Sequence, residues 1–467
     1  MSTTMGDGVA VYTYGWDTAF AIPVPDVNTA IVDHKSSPSG FSITEPKANY
    51  TVSGTFGDWQ ICPGGDGKAV RMLLPLTQVT LTLASGKSSS YSGHAVVEVE
   101  LHYIPHSSAD ATADGSNPQA LVVNPAPAEI PPLAIVDLVL TPTPGTISGA
   151  LIRAGLLDWG TNNLAEFAHV FAVVDLNLLV DQGQWGFVAP NDTSYAYLDG
   201  ADLDHSTFAV LCMTGNRTGD ALTEEVSPAA IPAGSVAGFV ISQARVLYDL
   251  VRPAIMQAYP GLNDQNFLMS EDATTLYLTD GTSVALPPVQ HDGSTYYPNL
   301  TQLSVKSNGQ ILTLNSLTVT DVAAGITATC EATHWNTVQL GTSSNGQTLT
   351  FVETQPPSIV HTIHQQEGSI ITQIIIAIVA AIALLILTIL TDGAALVVGG
   401  LIIGLIMGAD QIVPALIEKV NQDDSPDISL LLVNAVDPIT WTASSAFKLD
   451  YGSLNVSLQL GGNPTFV

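Results

Sequence analysis

Hydrophobic and polar residues alternate with a period of two over several long stretches of the chain. Val79, Leu81 and Leu83 are separated by Thr80 and Thr82, and Val97, Val99, Leu101 and Tyr103 by Glu98, Glu100 and His102. Both stretches predict amphipathic strands with one wet face. The pattern returns at Leu312, Leu314, Leu317 and Val319, and again at Ile326, Ala328 and Cys330. Near the end, Leu454, Val456, Leu458 and Leu460 read as one further strand. The period becomes helical in two places. Pro25-Asp26-Val27-Asn28 starts a helix, with Val27, Ala30 and Ile31 on one face. Gly234 to Tyr259 predicts a longer helix with Val236, Phe239, Val240, Ala244, Leu247 and Leu250 on one side and a kink at Pro253. Leu164 to Val180 reads as a buried strand, and residues 111–144, rich in Pro, Ala and Thr, as an extended loop or edge segment. Cys62-Pro63-Gly64-Gly65-Asp66-Gly67-Lys68 lies between strand-like runs and reads as a turn.

One segment breaks both periods. Ile370 to Leu390 contains no charge, and at about 1.5 Å per residue it would span roughly the 30 Å of a bilayer core. Thr391-Asp392-Gly393 interrupts it, and a second uncharged run, Ala394 to Ala409, carries Gly399, Gly400, Gly404 and Gly408. The expectation is an apolar αα-hairpin spanning residues 368–421. Its contact residues would be Ile374, Ile378, Ile382, Leu385, Ile389, Leu401 and Leu405. Neither flank has the Lys/Arg cluster that fixes a membrane topology. Packing against protein, storage in the fold before insertion, and constitutive anchoring all remain open.

Composition narrows the function classes. The chain has 467 residues, enough for two or three domains, and 46% of them are hydrophobic, which supplies a large core. Acidic residues number 42 against 12 basic ones, a formal charge of −30. That balance repels phosphate backbones, so nucleic acid is not an expected partner. It also disfavours simple adsorption to anionic lipid, and it keeps a protein with apolar surface soluble. Cys62, Cys212 and Cys330 are isolated, so they form neither a disulfide framework nor a zinc site. Residues 1–10 show no basic region followed by an apolar stretch. Synthesis in the cytoplasm without a standard signal peptide is expected, with release or membrane association possible afterwards.

Candidate chemistry is sparse. His361-x-x-His364 followed by Glu367 lacks the spacing and the intervening Glu of a metalloprotease helix. Asp199, Asp202, Asp204 and His205 gather in a Gly-containing loop without the alternating ligands of an EF-hand. Gly64-Gly65-Asp66-Gly67-Lys68 lacks phosphate-loop spacing. There is no Gly-x-Ser-x-Gly elbow. No cofactor, no metal and no enzymatic activity are expected.

Thr13-Tyr14-Gly15-Trp16-Asp17-Thr18-Ala19-Phe20-Ala21-Ile22, followed by Val27-Asn28-Thr29-Ala30-Ile31, resembles the opening of the OrfX proteins and the related forty-seven-kilodalton protein encoded beside botulinum-type neurotoxins. The resemblance continues in Gly54-Thr55-Phe56-Gly57-Asp58-Trp59-Gln60, Pro63-Gly64-Gly65, Phe208-Ala209-Val210-Leu211-Cys212-Met213 and Pro356-Pro357-Ser358-Ile359-Val360-His361. What it implies is an α+β chain of two TULIP-like modules. In each, a long helix is wrapped by a strongly curved antiparallel sheet, with an apolar groove between them. The expected division is residues 1–225 and 226–467, with the hairpin inserted in the second module. The resemblance brings no catalytic residues with it.

The function expected is therefore a non-enzymatic lipid- or membrane-binding protein, an accessory or component of a bacterial, insecticidal-type toxin system. Trp16, Phe20, Ile22, Val236, Phe239 and Val240 are the candidate lipid-lining residues. Burying acyl chain contributes about 0.8 kcal/mol per CH₂, so such a groove needs no dedicated motif. The alternative is a structural accessory protein that packs against a toxin-system partner without lipid.

Overall fold

The computed structural model describes residues 8–33, 35, 37–105, 117–124, 133–163, 172–176, 186–259, 261–343, 346–369, 373, 375, 395–398, 401–404, 439–441 and 444–466. Strand β1 (Thr18–Pro23) leads directly into helix α1 (Val24–Asp33), which buries Val27, Ala30 and Ile31 as the sequence predicts. Then come β2 (Gly40–Glu45), β3 (Tyr50–Phe56), β4 (Gln60–Asp66), β5 (Ala69–Leu83), β6 (Ser88–Pro105), β7 (Asn117–Val123) and β8 (Leu133–Thr141). Helix α2 (Thr146–Asn162) follows, then β9 (Ala172–Leu176), β10 (Pro190–Leu198), β11 (Thr207–Thr214) and β12 (Ala237–Ile241). The predicted alternation holds in β5, where Val79 and Leu81 are buried, and in β6, where Val97, Val99 and Leu101 are buried. Within the described part of residues 111–144 the extended reading becomes β7 and β8, and within the described part of Leu164 to Val180 a strand, β9, is present.

The second half begins with a helix, α3, in which Gln243–Arg245 and Arg252–Ala258 are α-helical and Val246–Val251 between them is π-helical. Its strands are β13 (Phe267–Met269), β14 (Thr275–Leu278), β15 (Val284–Ala285), β16 (Val289–His291), β17 (Ser294–Tyr296), β18 (Asn299–Asn308), β19 (Ile311–Ala323), β20 (Ile326–Ser343) and β21 (Gly346–Gln365). They are followed by β22 (Ala395–Val398), β23 (Leu401–Gly404), β24 (Ile439–Trp441), β25 (Ser444–Asn455) and β26 (Ser457–Phe466).

These strands form two main sheets. The smaller has nine strands in the order β2-β3-β5-β6-β7-β9-β24, with β4 beside β5 and β8 beside β6. The larger has 15 strands, a curled half-barrel whose path runs β10-β11-β1-β12-β26-β25-β20-β19-β18-β14-β13. Helix α2 covers the smaller sheet through Ile152, Leu156 and Trp159, and its Trp159 ring meets Phe41 and Phe56 at 5.7 and 5.3 Å. Helix α3 covers the larger sheet. Its Val246, Leu247, Leu250, Val251 and Ile255 share one core with Leu276, Leu300, Leu303, Val305, Leu312 and Leu314.

Three expectations are corrected. The stretch Gly234 to Tyr259 is not one helix: Ala237–Ile241 is a buried strand, and the helix starts only at Gln243. Ser242 accepts from the backbone N–H of Arg245 as N-cap, and Gly238 leaves no room for a side chain, since a Cβ there would lie 2.0 Å from the Ala230 carbonyl oxygen. Leu454 to Leu460 is not one strand either. It contains the tight turn joining β25 to β26, where Val456 adopts φ +71° and donates its backbone N–H to Gly309.

The third correction is the helical hairpin. Ala395–Val398 and Leu401–Gly404, inside the second apolar run, are antiparallel strands, and β23 runs parallel to β21. Val and Ile favour strands, and Gly399-Gly400 is a hairpin-turn dipeptide, so local preference opposes the helical reading there. Leu401 thus belongs to a strand, while Ile374, Ile378, Ile382, Leu385, Ile389 and Leu405 lie outside the described residues. Among the described residues no helix is long and apolar enough to cross a membrane.

Candidate functional site

The opening motif is where sequence expectation and structure are most easily compared. Tyr14 and Gly15 take positive φ of 51° and 96°, which turns the chain so that Trp16 points inward. Its indole N–H donates to the Thr223 carbonyl at 2.9 Å, and Gly219 lies against the ring so closely that a Cβ would reach 2.3 Å from it. The next residue, Asp17, is buried. One carboxylate oxygen accepts from the Thr214 backbone N–H and from Arg217 Nε, both at 2.8 Å, and the other faces Arg245 at 3.5 Å. Arg245 in turn pairs with Asp249 at 2.8 Å, one helical turn on. Burial pushes the Asp249 carboxyl above its usual range and the Arg245 guanidinium below its own, with each partly restored by the other's charge. This network fastens β1 and β11 to α3. Nothing in the local spacing reveals it, because Asp17 and Arg217 are 200 residues apart.

The candidate lining residues do not converge on one groove. Phe20, Ile22 and Phe239 are buried in the main core, with the Phe20 and Phe239 rings edge to face at 6.2 Å. Trp16 and Val240 belong to a separate cluster with Ala19, Leu211 and Met213. For Val240 the split follows from strand geometry, since neighbouring residues of β12 point to opposite faces, whereas Trp16 precedes β1 and follows the turn at Tyr14 and Gly15. Val236 precedes β12 and is 37% exposed.

The remaining candidate chemistry resolves into structural contacts. His361 and His364 are three residues apart on β21, so they occupy opposite faces of the strand and cannot share a metal. Asp199 accepts from the Gly64 N–H at 2.9 Å and from the Tyr197 hydroxyl at 3.0 Å, tying the glycine-rich stretch, which is the end of strand β4 rather than wholly a turn, to β10. Asp202 caps the turn Leu203–His205. Among the described residues there is no cluster of three or more potential metal ligands.

A different feature emerges on the inner face of the long strands. Cross-strand rows from β18 to β20 read Val305–Leu314–His334, Leu303–Ser316–Ala332 and Leu300–Thr318–Cys330. Side chains shrink along the lower rows, from leucine under α3 to Ser, Thr, Ala and Cys beside it. The next pair, Thr320 and Ala328, continues the small floor, and β21 borders it with Ile359, His361 and Ile363. Ser316, Thr318, Thr320, Ala328, Cys330 and Ala332 are all buried. Thr318 donates to the Cys330 carbonyl at 3.3 Å, whereas the Thr320 hydroxyl and, at the other end of the face, the Ser307 hydroxyl have no hydrogen-bond partner among the described residues. Burial pushes the Cys330 thiol up to about 11, so it is an inert wall rather than a nucleophile. The alternation of β19 and β20 was legible in the sequence. The small size of one face only becomes meaningful when the register brings both strands together.

A family model described as OrfX-like, Protein OrfX2/OrfX3/P47, matches residues 13–462. The chain is 34% identical to Protein OrfX3 of Paraclostridium bifermentans, over 97% of this chain and 98% of that protein. It is 28% identical to Protein OrfX3 of Clostridium botulinum strain Kyoto / Type A2, over 96% and 98%. Among solved structures, P47 from Clostridium botulinum A2 superposes with a TM-score of 0.68 at 17% identity, covering 97% of this chain and 98% of that one.

Proposed function

The chain belongs to the OrfX-like family of accessory proteins of botulinum-type neurotoxin gene clusters, and from that premise we propose that it binds lipid without covalent chemistry. The acyl chain lies along the small-residue floor between α3 and the inner face of β19–β21. The observation that carries this reading is the change of size across that face, from Leu300 and Leu303 under the helix to Thr318, Cys330 and Ala332 beside it. Small side chains take up little of that face, which suits a slim apolar ligand, and each methylene buried there contributes about 0.8 kcal/mol. The hydroxyl of Thr320, at the small-residue end and without a hydrogen-bond partner among the described residues, supplies a hydrogen bond for an ester or headgroup oxygen. Helix on curved sheet is the TULIP arrangement, and it is the finer reading of this architecture. Toxin-system proteins are the partners that membership of an accessory family suggests.

Filling the floor tests the site. Wild-type protein incubated with vesicles of phosphatidylcholine containing a fluorescent acyl analogue takes up the probe. Ala332→Phe and the milder Cys330→Leu, each checked by circular dichroism, lower that uptake. No uptake by the wild type, or uptake unchanged in folded slot-filling variants, would sink the proposal.

A further inference from the structure

The opposite, outward face of the same strands holds a cleft of about 490 Å³ between β14, β18, β19 and β20. We propose that this cleft is a binding site for a neutral carbohydrate.

The register gives the cleft its order. One continuous row crosses it as Tyr277–Ser304–Asn315–Thr333, and the row beside it runs Gln302–Leu317–Glu331. Neighbouring strands are about 4.8 Å apart, so the hydroxyl, amide and carboxylate groups stand at regular steps over a firm backbone. Asn315 and Gln302 each offer a donor and an acceptor, Ser304 and Thr333 offer hydroxyls, and Glu331 accepts. Thr333 donates to the Asn315 side-chain oxygen at 2.9 Å, which fixes that amide with its NH₂ still able to donate. Tyr277 closes one end, 37% exposed, and its ring presents a flat apolar surface. Leu317 adds a half-buried apolar patch to the floor.

This combination suits a sugar better than other ligands. A pyranose has hydroxyls around its edge and C–H groups on its faces, and the cleft pairs planar polar side chains with an aromatic platform. Among the described lining residues there is no cation, while Asp280 and Glu331 are acidic, so phosphate, sulfate and acidic sugars are repelled. An extended peptide would bind by adding a strand to a sheet edge, but these rows cross the middle of the sheet, where backbone groups are already paired. The cleft opens on the other face of the sheet from the proposed lipid floor but shares Leu303, Ser316 and Ala332 with it, so Asn315→Ala, whose side chain lies on the cleft's face alone, tells the two sites apart.

Saturation-transfer NMR on the full chain with glucose, galactose, mannose, N-acetylglucosamine and lactose tests the proposal. At least one of these sugars receives saturation at millimolar concentration. Tyr277→Ala and Asn315→Ala, both at exposed positions, weaken it by about tenfold, equivalent to about 1.4 kcal/mol. Should Tyr277→Ala fail to fold, Tyr277→Phe keeps the ring and retains binding while Asn315→Ala still loses it. Transfer to none of the sugars, transfer untouched by Asn315→Ala, or binding only of a lysine-rich peptide would each overturn the assignment.

Discussion

At the residue scale, burial sets the protonation of two histidines on the long strands. His334 is buried on the inner face of β20 and His102 is half-buried on β6, and in both desolvation holds the imidazole below its usual range. The unfolded chain therefore binds more protons than the folded one between the depressed folded values and the unfolded histidine value of about 6.5. Stability contributed this way is complete above that value and is lost as pH falls through the window. Asp249 and Asp26 act in the opposite sense, because burial raises both carboxyls and the folded chain binds the extra proton. Their cost is present at neutral pH and eases on acidification. Urea titrations at pH 7.5 and 5.5 are expected to show a lower midpoint at the acidic pH, with a smaller drop in His334→Gln. An equal drop in the variant would show that His334 does not carry the effect. The histidine was invisible as a candidate in the sequence, where it is one of 10 and no local pattern marks it. The Tyr-Gly-Trp-Asp-Thr opening was legible as a pattern, yet its reason, a buried carboxylate held by arginines far along the chain, is spatial.

At the element scale, period-two alternation identified the strands well wherever one face is buried and the other wet. Val79 to Leu83 and Leu312 to Leu314 are examples, whereas Leu317, one residue out of step, turns to the outer face; Val27, Ala30 and Ile31 marked α1 as clearly. Helix α2 was missed for a physical reason. Gly149, Gly155 and Gly160 interrupt it, no side-chain cap marks its start, and apolar residues lie on nearly every side. Gly155 is there because a Cβ would come 2.8 Å from the Val52 side chain, which lets the helix sit close on its sheet. The same closeness makes Trp159 a keystone among Phe41 and Phe56. Trp159→Ala is expected to cost about 3–5 kcal/mol of stability, read as a lower urea midpoint at unchanged slope. A cost below about 1 kcal/mol would mean that α2 is only loosely docked. The helix expected over Gly234 to Tyr259 failed at its first third, where the run Val236 to Ile241 is hydrophobic at every position but Gly238. Such a run has no period to separate a buried strand from a buried helix, and the pairing of β12 between β1 and β26 decides it.

At the scale of the whole molecule, the half-barrel is built from both ends of the chain. β1 near the start hydrogen-bonds β12, and β12 hydrogen-bonds β26 at the end. The N-terminal Val11 pairs with Asn455 and Ser457, so the β25–β26 turn is clasped between the start of the chain and the β18–β19 turn. No local pattern foretells that closure. The curled sheet offers two faces of different chemistry, a small-residue inner floor and a polar outer cleft. A formal charge of −30 leaves neither suited to phosphate-rich partners. Lipid bound at the inner floor is the claim on which the functional reading depends, and the most direct test is native mass spectrometry of the purified full chain followed by organic extraction. The account predicts a stoichiometric mass increment that survives gentle desolvation and is lost on extraction, with a lipid recovered in the organic phase. Protein that is empty after purification, and stays empty after incubation with phosphatidylcholine vesicles, would contradict it.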